Sequence, residues 1–243
     1  MDEKALKTSP WQRVIIILVA ILLLGSTVLT YMFIVMSNSS SQQDRNAQRA
    51  ELEDQIDAKN AELAEAVKPL SDKYFKTLQD YYKSQVKAYN ATAANDKKLE
   101  IKDLKEGTGT QLQEKDINYN AYYIGWCADG KVFDSSFAYA EDDKNKQNPT
   151  GLQQPLVGSS SMIEGWIQGI IGMKIGGVRQ LSIPGELAYK DETNGSRACG
   201  AGAPLKFIVM MLPEDEDLKK VKTIQSELSD LNVKLYTLML GGQ

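Results

Sequence analysis

Histidine is missing from all 243 residues. Its absence removes the commonest general base and metal ligand, and with it every Ser-His-Asp or Cys-His triad. Cysteine is nearly missing: Cys127 and Cys199 stand alone. Two are too few for a disulfide framework or a cysteine zinc site. The residue type favours two small buried thiols, with a single disulfide as the outcome if they face an oxidising compartment. A basic excess is also lacking. With 28 basic and 32 acidic residues the net charge is −4, and nothing suggests a nucleic-acid partner. No residue pattern calls for a metal or a cofactor.

One long apolar run is present. Val14 to Met36 reads VIIILVAILLLGSTVLTYMFIVM, 23 residues without a charge. Spanning a bilayer takes roughly 20 apolar residues. Trp11 and Tyr31 sit where interfacial anchors belong. A cleaved signal peptide has a shorter apolar core and a small-residue cleavage site; here the exit reads MSNSSSQQD. Lys4, Lys7 and Arg13 precede the run, against Arg45 and Arg49 after it. That bias points to an inside N-terminus. The expectation is a short cytoplasmic tail over 1–13, a single-pass transmembrane helix over 14–36, and an extracytoplasmic remainder held at the cell membrane.

Residues 37–98 read as linker and helical connector. SNSSSQQ (37–43) is small and polar, a flexible exit. From Asp44 to Asn90, Leu52, Ile56, Leu63, Val67, Leu70, Tyr74, Leu78, Tyr81 and Tyr82 recur mostly at helical spacing. Pro69 is predicted to kink or split this helix, and 91–98 reads as a break. At the other end, 214–243, Val221, Ile224, Leu228, Leu231, Leu235 and Leu238 are spaced 3, 4, 3, 4 and 3, an a/d heptad seam. A lone helix of that length is marginal in water, so the seam needs a partner. Two are on offer: the 44–90 helix of the same chain, or a second copy in a homodimer.

Between Leu99 and Leu212 the pattern changes. NYNAYYIGW (118–126) reads as a strand, followed by the turn pair Asp129-Gly130 and KVFDSSF. GGVRQLSI (176–183) alternates and stops at Pro184. PLKFIVMML (204–212) is an apolar strand. SMIEGWIQGIIGM (161–173) reads as a short helix, with Met162, Ile163, Trp166 and Ile170 at helical spacing. EDDKNKQNP (141–149) reads as a solvated loop. Several strands and one short helix make an α+β domain over 99–213.

These residues, in this order, resemble the FKBP family of peptidyl-prolyl cis-trans isomerases. GTGTQLQEKDINYNAYYIGWCADGKVFDSSF (107–137) is similar to the family's opening strands, with Tyr-x-Gly and then Asp-Gly-x-x-Phe-Asp-Ser-Ser. MIEGWIQGIIGMKIGGVRQLSIPGELAY (162–189) looks like its Gly-Trp helix, Met-x-x-Gly-x-x-Arg strand and Ala-Tyr turn. PLKFIVMML is similar to its last strand. The resemblance implies an antiparallel sheet wrapped around a short helix, with an aromatic pocket that takes proline-containing polypeptides. It implies pocket roles for Tyr123, Phe133, Asp134, Met162, Ile163, Trp166, Tyr189 and Phe207. Met162, Ile163, Trp166 and Tyr189 would contact substrate, with the Ile163 N–H on a substrate carbonyl. Asp134 reads as a buried charge that accepts hydrogen bonds in the pocket. The chain departs from the family in GLQQPLVG (151–158), at Lys190 after Ala188-Tyr189, and in TNGSRACGAGAP (193–204). The implied activity is prolyl isomerisation assisting extracytoplasmic folding. The alternatives are a catalytically weak FKBP-like binding or chaperone module, and an assembly role for the two helices.

Overall fold

The computed structural model describes residues 10–113, 119–144, 146, 148–158, 162–190 and 199–240, with side chains from Gln42 onward. The chain divides into two compact units, with boundaries between Asp57 and Ala58 and between Ser229 and Asp230.

The unit of residues 58–229 is built on an antiparallel sheet. Its strands are β1 (Glu100–Lys105), β2 (Asn120–Trp126), β3 (Val132–Ser135), β6 (Leu156–Val157), β7 (Val178–Ile183) and β8 (Leu205–Met211), in the order β1-β7-β8-β2-β3, with β6 also on β2. β4 (Phe137–Tyr139) and β5 (Pro149–Leu152) form a separate two-stranded sheet. The short helix α3 (Glu164–Ile170) packs on one face. The predicted strands at 118–126, 176–183 and 204–212 and the helix within 161–173 are therefore all present, with trimmed ends. The edge strand β1 has no apolar alternation to announce it. Its sequence EIKDLK is exposed at five of six positions, and backbone pairing with β7 holds it.

Both faces of the central strand are buried. In β8, Leu205, Phe207, Val209 and Met211 face α3. Ile208 and Met210, at the alternate positions, are also buried, as are Tyr122, Ile124 and Trp126 of β2. The helix α1 (Pro10–Gln85) covers that second face. Its Tyr74 ring lies 6.1 Å from Tyr122, and Phe75 and Tyr82 meet Phe137 edge-on. A strand buried on both sides reads as a near-continuous apolar run, which is what LKFIVMM is.

Arg179 is 6% exposed and closes α3 from below. Its guanidinium donates to the carbonyls of Gly169 and Ile171, at 2.9 and 3.0 Å, and makes a two-pronged pair with Asp103 of β1. These are carbonyls that a helix end leaves without partners.

The heptad seam finds its partner in the same chain. In α4 (Glu216–Leu240), Leu218, Val221, Ile224 and Leu228 are buried. So are Ala66, Val67 and Leu70 of α1. Ion pairs Lys59–Glu227 (2.6 Å) and Lys73–Asp215 (2.5 Å) fix an antiparallel register.

Four expectations about the connectors are corrected. The helix runs unbroken through 37–43, which is helix and not a flexible exit, because propagation from an existing helix is far cheaper than a new start. It also continues through Pro69. Buried neighbours at Ala66, Val67 and Leu70 outweigh the hydrogen bond that the proline removes. It ends at Gln85, before Asn90. The stretch 91–98 contains a five-residue helix, α2 (Ala91–Asn95), capped by the Asn90 side chain on the Ala93 N–H.

The other unit holds α1 up to Asp57 and α4 from Asp230 onward. There Leu52, Ile56, Leu231, Leu235 and Leu238 are half-buried. Among the residues whose side chains are described, from Gln42 onward, no helix is long and apolar enough to cross a membrane. The run 14–36 lies in the part of α1 described by its backbone alone.

Candidate active site

Trp166 is the second residue of α3 to be fully buried, and it points at the sheet. Close approach of α3 to β7 is made by glycines. A Cβ at Gly169 would stand 2.6 Å from a Leu181 methyl, and one at Gly165 would overlap Ile183. Two rings meet the indole, and a third joins them. Tyr123 meets it edge-on at 5.7 Å and Phe207 at 5.1 Å, and Phe133 meets Phe207 at 5.6 Å. Gly125 leaves room for this, since a Cβ there would lie 2.6 Å from Phe207 and 2.9 Å from Phe133. Edge-to-face pairs add about 0.5–1.5 kcal/mol each beyond area burial.

Met162, Ile163 and Tyr189 pack against the same cluster and keep partial exposure. Ile163 occupies the cap position of α3 in extended backbone, φ −57° and ψ 147°. The first N–H groups of a helix have no intrahelical partner, so this end presents donors. Tyr189 follows the 3₁₀ turn Gly185–Leu187. All eight residues singled out by sequence are thus in one place.

Asp134 is a correction. The sequence reading makes it a buried charge; the structure leaves it exposed. It stands on β3, the edge strand of the sheet, where one side stays open to water. It does accept a hydrogen bond, from the Tyr123 hydroxyl at 2.6 Å. Burial, and then the bond and charge of Asp134, push the Tyr123 phenol well above its usual range. Tyr189 is pushed up by burial and by the same carboxylate. Both hydroxyls therefore stay protonated donors at neutral pH.

One group was missed. Tyr119, just ahead of β2, is 5% exposed and its hydroxyl accepts the Trp166 indole N–H at 2.5 Å. Burial raises its phenol to about 12. Gly158 makes the space, because a Cβ there would stand inside the Tyr119 ring. The aromatic-rich run NYNAYYIGW carried the signal without saying which ring did what. The cysteines resolve an open alternative. Cys127 and Cys199 form a disulfide, Cα to Cα 5.2 Å, in place of two free thiols. It ties the limb after the Tyr189 turn to the end of β2. Among the described residues, no three His, Cys, Asp or Glu side chains converge as metal ligands would.

Comparison with known proteins gives one answer. A family profile described as FKBP-type peptidyl-prolyl cis-trans isomerase matches residues 109–212. The chain is 36% identical over 111 residues to an FK506-binding protein of Streptomyces anulatus, covering 45% of this chain and 81% of that one. It is 33% identical over 124 residues to FK506-binding protein 1A of Neurospora crassa, covering 51% and 91%. It is 37% identical over 122 residues to an FK506-binding protein of Neisseria meningitidis serogroup B, covering 50% and 94%.

The tyrosines set an alkaline limit. A group whose folded pKa is raised contributes stability that is whole below its unfolded pKa and is lost as pH rises towards the folded value. For Tyr119 that window opens near pH 10, the ordinary tyrosine value, and runs to about 12. The melting temperature should be flat between about pH 7 and 9 and fall above about pH 10. Tyr119→Phe should make the alkaline fall shallower. An unchanged slope in that variant would show that Tyr119 is not the group responsible.

Proposed function

Because the chain belongs to the FKBP-type peptidyl-prolyl cis-trans isomerase family, we propose that it is a membrane-tethered isomerase of that type, acting at the cell surface on extracytoplasmic polypeptides as they fold. What supports the site is the ring cluster of Tyr123, Phe133, Trp166 and Phe207, with the Tyr123–Asp134 hydrogen bond at its edge.

The chemistry suits a chain without histidine. Rotation about a prolyl peptide bond crosses a barrier of roughly 18–20 kcal/mol and is slow unaided. The barrier is lost amide resonance. No bond breaks, so neither nucleophile nor general base is needed. In our reading the proline ring sits over Trp166, between Tyr123 and Phe207. The Ile163 N–H takes a substrate carbonyl, and Met162 packs beside it. Tyr189 donates its hydroxyl at the rim. The rings remove water from the amide, and the twisted amide has a smaller dipole than the planar one, so it loses less. Every 1.4 kcal/mol or so of such differential stabilisation is tenfold in rate. Asp134 orients the Tyr123 hydroxyl and lends its field to the pocket.

Two features support the setting. The uncharged run 14–36 has the length of a membrane span. The Cys127–Cys199 disulfide suits an oxidising compartment, since cytosolic thiols are kept reduced. Association into a homodimer is a further part of the proposal. Along α4, Val233, Tyr236 and Leu240 are more than half exposed at spacings of 3 and 4, an apolar stripe that a second copy could cover.

Asp134→Val and Phe133→Ala should each lower kcat/KM on X-Pro peptides by about tenfold or more, equivalent to about 1.4 kcal/mol. The melting temperature should change little for the exposed Asp134. Folded variants with parental rates would remove these residues from the mechanism. The tether has its own test. The full chain should float with phosphatidylcholine vesicles and resist alkaline carbonate extraction. Full release by carbonate would rule out a spanning anchor.

A further inference from the structure

The segment between α1 and β1, residues 86–99, lies outside the family match at 109–212. It is nevertheless stitched to the ends of β2 and β8. The Tyr89 N–H donates to the Ala128 carbonyl at 2.8 Å, and the Lys87 carbonyl accepts the Trp126 indole N–H at 3.2 Å. The Tyr89 hydroxyl donates to the Pro204 carbonyl at 2.7 Å, and Lys206 stands over its ring at 4.6 Å.

The most specific stitch is Asn95, the last residue of α2. Its Oδ1 accepts the Gly185 N–H at 2.8 Å, and its Nδ2 donates to the Gly202 carbonyl at 3.1 Å. Gly185 begins the turn that carries Tyr189; Gly202 belongs to the limb that returns from it. The two backbones touch, and a Cβ at Gly185 would overlap the Gly202 carbonyl. Lys190 closes the turn by donating its N–H to the Gly185 carbonyl at 3.0 Å, and its own carbonyl accepts the Gly202 N–H at 2.6 Å. One amide side chain from outside the isomerase domain thus completes a ring of hydrogen bonds around the base of the Tyr189 turn.

We propose that Asn95 is a positioning residue of the isomerase: by bridging Gly185 and Gly202 it fixes the rim turn that presents Tyr189, so the helical arm sets how tightly the pocket holds its substrate. The inference rests on the reading of Tyr189 as a substrate contact. Asn95 is itself exposed, so its loss acts on the rim before it acts on the fold. An amide fits the task because both halves are used: Oδ1 takes a donor and Nδ2 gives one. Misplacement of a contact by an ångström is enough to cost activity.

The test is a double-mutant cycle in the full chain with Asn95→Ala and Tyr189→Ala, reading kcat and KM on a panel of X-Pro peptides. Asn95→Ala should lower kcat/KM about five- to tenfold, chiefly through KM, because what it loosens is a binding contact. In the Tyr189→Ala background the same change should have less than about a twofold effect, because its target is gone. Asn95→Asp keeps the acceptor for the Gly185 N–H and should fall between wild type and Asn95→Ala, and it also serves if the alanine variant folds poorly. An Asn95→Ala enzyme with parental KM overturns the proposal. So does a loss that persists undiminished without Tyr189. Tyr189→Ala with parental rates would instead overturn the site reading itself, so the two failures are distinguishable.

Discussion

The Trp166 indole is the contact on which the rest of the domain depends. It is fixed from below, where the Tyr119 hydroxyl takes its N–H, and from the sides, where Tyr123 and Phe207 meet it edge-on. A buried indole N–H without a partner would cost about 1–3 kcal/mol, so Tyr119 also fixes the ring's rotation. That orientation needs empty space at particular points. Gly158 clears the Tyr119 ring, Gly125 clears Phe133 and Phe207, and Gly165 and Gly169 let α3 settle on β7.

The sheet is the second constraint. A sheet with two buried faces needs two covers, and this chain supplies them differently. One face carries α3 and the pocket. The other carries the C-terminal half of α1 through Tyr74, while Phe75 and Tyr82 meet Phe137 of β4. The arm then continues past the end of β2 as the segment that holds Gly185 and Gly202 through Asn95. The element that reads as a spacer is therefore part of the domain's second core.

Most of this was legible in the sequence, for identifiable reasons. Helical spacing at Val67, Leu70, Leu78, Val221, Ile224 and Leu228 marks buried positions correctly, because amphipathic helices bury one stripe and little else. The ordered motifs from Gly107 to Leu212 single out eight residues that the structure brings together. What was not legible falls into three kinds. The strand β1 is exposed and charged, so only its pairing reveals it. The burial of a residue such as Asp134 depends on which strand ends up at the sheet edge, a tertiary fact. The Cys127–Cys199 pairing and the Tyr119–Trp166 bond join residues 72 and 47 positions apart, and neither separation leaves a local pattern.

The proposed site is aromatic and twists an amide without moving a proton. Its donors, the Tyr123 and Tyr189 hydroxyls, are held protonated by burial far beyond neutral pH, and no histidine is present to titrate. The most direct measurement is the solvent deuterium isotope effect on kcat/KM for a chromogenic X-Pro peptide. Rotation without proton transfer predicts a value of about 1, unchanged across neutral pH. A value of about 2 or more, with a bell-shaped pH profile, would mean that a proton moves in the transition state and would contradict the account.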